Sequence, residues 1–345
     1  MLKKIKATML GALALAVTSG AADAQSKVTL RVADSLPVGH IISASATKPW
    51  IELVRELSKG SIEIQYFPAE QLGKAKDFLQ LTQSGLVDVG YVGPSYVADK
   101  MPLSAVAELP GAFSSACQVM TAYWQLVKEG GFLYEQEFKP NKIRPLFIVA
   151  LPPYQAILGA SVAAVSLQDL AGKKIRAAGG AQDLTLRKLG MVPVRMAPPE
   201  IYESLGRGTV DGALLALISV ESYKLTDVTK SVTSGQNFGT VVVSYSISEA
   251  KWNSLPQVSR EVLTRAGDET TRRACKAFDR EEADAADRLK KDGVKIVRLN
   301  ATDQDKVEAV MVQVAEDWAT ALDARGKPGS AALKAFRSAL TQASQ

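Results

Sequence analysis

The chain has 345 residues, 47% of them hydrophobic and 22% charged, with a formal net charge of +5, one histidine and two cysteines. That length is more than one ordinary core accommodates and calls for two lobes. Cations are interspersed with acids, as in "RRACKAFDREEADAADRLKK", which excludes the concentrated basic face of a nucleic-acid binder, and one His with two Cys excludes a four-ligand His/Cys metal site.

The first residues carry Lys3, Lys4 and Lys6, then the apolar run "ATMLGALALAV", then "ADA" at 22–24. This is the pattern of a secretory signal cut after Ala24. The run is shorter than the roughly 20 residues that span a bilayer, and no cysteine near the cut suggests a lipoprotein. Loss of the leader leaves about 320 residues at a net charge of +3, so the expected mature protein is periplasmic and soluble. In that oxidising compartment Cys117 and Cys275 are read either as a disulfide or as two separate buried thiols.

"KVTLRVAD" alternates as a strand and is followed by the loop "SLPVGH". "ASATKPWIELVRELSKG" places Trp50, Leu53 and Leu57 at helical spacing and stops at Gly60. "SIEIQYFP" is a second strand. "AEQLGKAKDFLQLTQSG" is expected to be a helix with Leu72, Phe78, Leu79 and Leu81 on it. "LVDVGYVGP" is a third strand, apolar enough to be buried on both faces. Three strand–helix alternations predict a parallel α/β lobe.

A second cycle starts near "IRPLFIVALP". "KKIRAA" is a strand, "AQDLTLRKLG" a helix, "MVPVRM" a strand, "APPEIYESLGRG" a helix with Pro198 and Pro199 in its first turn, and "VDGALLAL" a buried strand. "SGLVDVG" at 84–90 and "RGTVDGA" at 207–213 repeat one grammar, so the same unit is expected twice. "TVVVSYSIS" (240–248) is a long strand. The pattern from Ser259 to Asp292 predicts a helix long enough to lie across both lobes. "VEAVMVQVAEDWATAL" and "SAALKAFRSAL" are amphipathic helices, the first with a capping box at Thr302 and Asp305. Without a flexible linker, the lobes must be joined by strands that cross. The expected division is 25–152 with about 242–281 in lobe I, and 153–241 with about 282–345 in lobe II.

His40 is the only histidine, so any Ser–His or Cys–His chemistry must use it. No G-x-S-x-G elbow and no H-E-x-x-H are present. "SATK" (Ser45 to Lys48) matches S-x-x-K without its companion S-D-N and K-T-G motifs. The Gly-rich stretches lack the G-x-G-x-x-G spacing. His40 follows the first strand, where ligands bind in open α/β sheets; a pocket role and a surface or interlobe role both remain open. Arg176 closes a strand beside small residues. Its fork of donors suits a carboxylate, but spacing alone equally allows a solvated or salt-bridged side chain.

Six motifs in order, "YFPAEQLG" (66–73), "QSGLVDVG" (83–90), "ELPGAF" (108–113), "DLAGKKIR" (169–176), "LGMVPVRMAPPEIYESLGRGTVDG" (189–212) and "SEAKWNSLP" (248–256), run across the mature chain. Together they resemble the periplasmic solute-binding subunits of TRAP transporters, the DctP-like group. The resemblance implies an α/β clamp of two lobes with crossing hinge strands and a long bracing helix. It implies no chemistry and no cofactor, capture of a small organic acid, and delivery to small and large permease subunits in the membrane. It assigns the family's selectivity arginine to Arg176.

The sequence departs from the family pattern in three places. "YQA" (154–156) stands where many members carry a second Arg, Leu215 where many carry Asn, and "VGPSY" (92–96) where an acid often follows the third strand. Each change makes the cleft less polar. The expected ligand is therefore a monocarboxylate with an apolar or aromatic remainder, its carboxylate on Arg176. Tyr91, Tyr96 and Tyr154 would flank it, with Ser35, His40, Gly93 and Leu215 nearby. The alternatives are a receptor of an ABC or tricarboxylate system, or a periplasmic hydrolase using His40 or Ser45.

Overall fold

The computed structural model describes residues 27–162 and 166–343; the expected signal segment and its cleavage site lie outside them. Eleven strands are described: β1 (Val28–Ala33), β2 (Ile62–Phe67), β3 (Val89–Val92), β4 (Ile143–Ala150), β5 (Gln155–Leu158) and β6 (Lys174–Ala177), then β7 (Val192–Arg195), β8 (Gly212–Leu215), β9 (Ser231–Thr233), β10 (Val242–Ser248) and β11 (Lys295–Val297). They form two sheets, ordered β2-β1-β3-β10-β4 and β11-β9-β5-β8-β6-β7. β1, β2 and β3 pair in parallel, as do β6, β7 and β8. β10 runs antiparallel between β3 and β4, and β5 antiparallel to β8 and β9. Every residue of β3, β8 and β10 is buried; for β3 and β8 this explains a near-continuous apolar sequence, while β10 alternates apolar residues with Ser244, Ser246 and Ser248.

The chain passes between the sheets three times, through the helices that follow β10 to reach β11 and, as two extended crossings, from β4 to β5 and from β9 to β10. The extended crossings are bonded to each other: Tyr154 N–H donates to Gly239 O at 2.8 Å and Phe238 N–H to Tyr154 O at 3.1 Å. Thr240 Oγ1 adds a bond to Leu151 O at 2.7 Å. Gly239 has φ +91°, and a Cβ there would stand 2.3 Å from Glu108 O, so the hinge admits only glycine at this point.

The helices are α1 (Lys48–Leu57), α2 (Phe78–Gln83), α3 (Ala116–Val127), α4 (Ala181–Lys188), α5 (Ile201–Gly206), α6 (Ile218–Ser222) and α7 (Glu249–Ser254), then α8 (Gln257–Lys291), α9 (Ala301–Asp323) and α10 (Gly329–Ala343). α8, 35 residues long, buries Leu263, Ala266, Ala274, Phe278, Ala285 and Leu289. It packs on α1, α3 and β4 on one side and on α6 and β11 on the other, so the expected brace across both sheets is present. At Gly267 the helix lies so close to β4 that a Cβ would stand 1.7 Å from Leu146 O. Cys117 on α3 and Cys275 on α8 are joined as a disulfide, their Cα atoms 4.6 Å apart.

Three expectations need correction. "AEQLGKAKDFLQLTQSG" is not one helix: Ala69 and Glu70 take positive φ, and the Glu70 carboxylate accepts the Ala75 N–H at 3.3 Å. Only α2 and a short 3₁₀ turn (Ala75–Asp77) remain helical, and Leu72 lies in the bend before them. "APPEIYESLGRG" splits likewise into a 3₁₀ turn (Pro198–Glu200) and α5. α9 begins earlier than expected, capped by Asn300, whose Oδ1 accepts Asp303 N–H at 2.9 Å in place of the Thr302–Asp305 box. α10 buries Ala332 and Phe336 and packs on both α3 and α9.

Candidate functional site

β6, next to the edge strand β7, carries Arg176 into the second sheet, with Val194 of β7 on one side and Ala213 of β8 on the other. Its neighbours Ile175 and Ala177 are buried, while Lys174 is exposed. The Arg176 side chain is 0% exposed. Nε donates to Met196 O at 3.0 Å and Nη1 to Leu214 O at 3.1 Å, while Nη2 has no partner. Two carbonyls therefore fix the fork and leave one buried, charged donor open. A lost hydrogen bond at a buried group costs about 1–3 kcal/mol, more at a charge, so this arrangement is suited to an incoming anion.

Next to it lies a small cavity of about 20 Å³, room for little more than one water. Its walls come from both sheets and both extended crossings. They include His40 and Ile42 after β1, Tyr91 on β3, Tyr96 just beyond it, Leu151 and Tyr154 at the first crossing, and Val241 and Val243 at the second. The other sheet supplies Leu215 at the end of β8, Ser219 and Tyr223 from α6 and its end, and Pro198. The Tyr96 hydroxyl lies beside the Arg176 guanidinium, which offsets the rise that burial imposes on its pKa. Two wider grooves of about 620 and 1060 Å³ open on the surface along α9–α10 and along α8; the small cavity is the one whose wall holds the unpartnered His40 Nε2 and Ser219 Oγ, with Arg176 Nη2 beside it.

His40 is 1% exposed. Its Nδ1 accepts the Ile42 N–H at 3.1 Å, Nε2 has no partner, and its ring lies 4.8 Å from that of Tyr223. Burial pushes its pKa down to about 3, so it is neutral at physiological pH. The loop that carries it is anchored by Asp34, which accepts from Tyr66 at 2.7 Å, Tyr245 at 2.8 Å and Leu36 N–H at 3.0 Å. Burial raises Asp34 to about 6 against these bonds. Glu108, also fully buried, accepts from Ser95 Oγ and, at 3.3 Å, from Val242 N–H. Burial lifts its carboxyl to about 8, a rise moderated by those two bonds and by Arg176.

Of the sequence-expected residues, His40, Tyr91, Tyr96, Tyr154 and Leu215 line the cavity and Arg176 stands beside it. Gly93 lies beneath Tyr96, where a Cβ would meet that ring at 2.8 Å and Val243 at 3.1 Å. Ser35 is buried but is not part of the wall. Ser45 is half-buried, Lys48 Nζ donates to Val38 O, and the His40 ring is hydrogen-bonded only to the Ile42 N–H among the described residues. No serine is thus poised on a base there. Sequence reasoning missed Glu108, Ser219 and Tyr223. Glu108 is an acid set in the apolar run "AVAELP", and Ser219 and Tyr223, four apart after a strand end, share a helix face; both signals were available.

Two sheets joined by crossing strands and closed around a buried cleft define a solute-binding protein. Residues 32–321 match the family described as bacterial extracellular solute-binding protein, family 7 (DctP), and the chain belongs to that family. A solute-binding protein of Albidiferax ferrireducens is 26% identical over 249 residues, 72% of each chain. A TRAP solute-binding protein from a marine metagenome, specific for aromatic acids and solved with metahydroxyphenylacetate, superposes with TM-score 0.84. It is 24% identical and covers 92% of this chain and 100% of its own. A TRAP periplasmic solute-binding protein of Bordetella bronchiseptica, solved with (R)- and (S)-mandelate, is 26% identical with TM-score 0.81. The match covers 91% of this chain and 99% of that one. Among the described residues, no helix is long and apolar enough to cross a membrane.

Proposed function

We propose that this chain is the periplasmic receptor of a TRAP system for a monocarboxylate with an aromatic or apolar remainder, which it delivers to the membrane permease. The observation that carries the reading is the Arg176 guanidinium, fixed by two carbonyls, with Nη2 open beside a wall of tyrosines. The cavity lining contains no second cation among the described residues, since His40 is neutral. A second carboxylate would be left buried without a partner. Both similar structures named above hold an aromatic monocarboxylate.

The cavity of about 20 Å³ is far smaller than an aromatic acid, so the lobes separate to admit the ligand and close on it. The ligand shifts that equilibrium only by binding the closed form more tightly. The closed form is the one that would be presented to the permease.

A thermal-shift series with aromatic monocarboxylates, short-chain monocarboxylates, C4-dicarboxylates and sugar acids tests the ligand class. The expected result is stabilisation by aromatic acids of roughly 3 kcal/mol at a hundredfold excess over Kd and little by the others. Stronger stabilisation by a dicarboxylate or a sugar acid would overturn the reading.

A further inference from the structure

The Arg176–carboxylate reading leaves two polar groups of the cavity wall without a role. His40 and Ser219 are 1% and 0% exposed, and neither His40 Nε2 nor Ser219 Oγ has a hydrogen-bond partner. They come from different halves of the molecule, His40 from the loop after β1 and Ser219 from α6 after β8, yet both face the same cavity.

The hydrogen bond at the other ring nitrogen fixes what His40 offers. Ile42 N–H donates to Nδ1 at 3.1 Å, so Nδ1 presents a lone pair and the ring proton sits on Nε2. Nε2–H is therefore a fixed donor with nothing to receive it. Tyr223 lies against the ring at 4.8 Å and holds its orientation. Ser219 is equally unusual for a helical serine, whose hydroxyl commonly turns back on the preceding turn. Its neighbour Ser222 does so, donating to Ile218 O at 3.4 Å; Ser219 does not. A donor and a donor–acceptor are thus buried together in an otherwise aromatic and aliphatic wall. Because His40 stays neutral and no cation accompanies it, the pair suits an uncharged oxygen and not a second carboxylate.

We infer that His40 Nε2–H and Ser219 Oγ form a second subsite that binds a hydroxyl or keto oxygen on the ligand, so that the preferred ligand is an oxygen-substituted aromatic monocarboxylate. This rests on the reading that Arg176 takes the carboxylate. It adds a specificity-determining pair: a site built to hydrogen-bond an oxygen discriminates strongly against the analogue lacking it, because its own groups are then left unpaired.

The test is calorimetric titration of the full protein with benzoate against its three hydroxy isomers, and with phenylacetate against mandelate. The proteins compared are the parent, His40→Phe, Ser219→Ala and Arg176→Ala. In the parent, at least one hydroxylated acid is expected to bind about tenfold or more tightly than its unsubstituted partner. Ser219→Ala and His40→Phe are each expected to cut that preference to about threefold or less. Ser219→Ala removes a single oxygen, so it keeps the test valid if His40→Phe does not fold. Arg176-dependent binding of the unsubstituted acids without any hydroxyl preference would overturn the subsite and leave the carboxylate reading standing. So would a preference that survives both substitutions. Affinities untouched by Arg176→Ala, or no binding of any of these acids, would overturn the reading itself and the subsite with it.

Discussion

Glu108 shows how much of this site is decided by burial. It is a carboxyl without exposure, held protonated to about pH 8, in the field of a buried arginine. Its folded pKa stands above its unfolded value near 4.5, so folding is favoured fully below about pH 4.5 and loses that contribution as pH rises through 8. Asp34, raised to about 6, and Glu282, raised to about 7, act in the same sense at lower pH. His40, lowered to about 3, acts oppositely, adding stability as pH rises to about 6.5 and nothing further above that. The interval from pH 6.5 to 8 therefore reports on Glu108 with a smaller part from Glu282, and its upper half mainly on Glu108. We expect the ligand-free protein to lose about 2 kcal/mol over that interval, a fall in Tm of roughly 3 °C. Glu108→Gln should flatten that part of the profile. Melting curves at fixed ionic strength check both, and a Glu108→Gln profile as steep as the parent's would reject the assignment.

At the scale of elements, α8 does more than span the two sheets. Asp279 accepts the Ala116 and Cys117 N–H groups at 2.6 and 3.0 Å, at the start of α3. Three residues on, Glu282 accepts Leu217 and Ile218 N–H at 3.2 and 2.9 Å, at the start of α6. Within one turn, the helix thus satisfies otherwise open donors of an element packed in each half. Glu282 holds α6, and α6 carries Ser219 and leads to Tyr223, so the brace also sets part of the cavity wall. The disulfide pins the same stretch of α8 to α3 across 158 residues of sequence. Reduction, or Cys275→Ala with Cys117→Ala, should cost about 2–5 kcal/mol of stability, lowering Tm by roughly 3–7 °C. Neither cysteine lines the cavity, so affinity for an aromatic acid should change less than twofold. An affinity that falls in step with Tm would show that the disulfide shapes the cleft as well as the frame.

At the scale of the molecule, the sequence made visible what is local and repeated. The buried strands β3 and β8 are legible as apolar runs, β10 as an alternating strand, and α8 as one sustained period. Arg176 is legible as an arginine at a strand end among small residues. The failures come from tertiary control of local structure: Leu72 fits a helical pattern, but positive φ at Ala69 and Glu70 and the Glu70–Ala75 bond turn the chain first. α10 carries an amphipathic period that says it must pack but not on what, and it packs on both α3 and α9. The site was half visible for the same reason. Tyr91, Tyr96 and Tyr154 could be placed by strand ends, whereas Ser219 and His40, 179 positions apart in the chain, meet only because the lobes close.

The central claim is that one arginine in a closing, tyrosine-lined cleft captures one carboxylate. The most direct measurement is the Kd of the best-binding aromatic acid for the parent and for Arg176→Ala, with melting curves confirming that both are folded. The account predicts a loss of affinity of about a hundredfold or more, as expected when a buried, charge-assisted contact is removed. Equal affinity in the two proteins would contradict it.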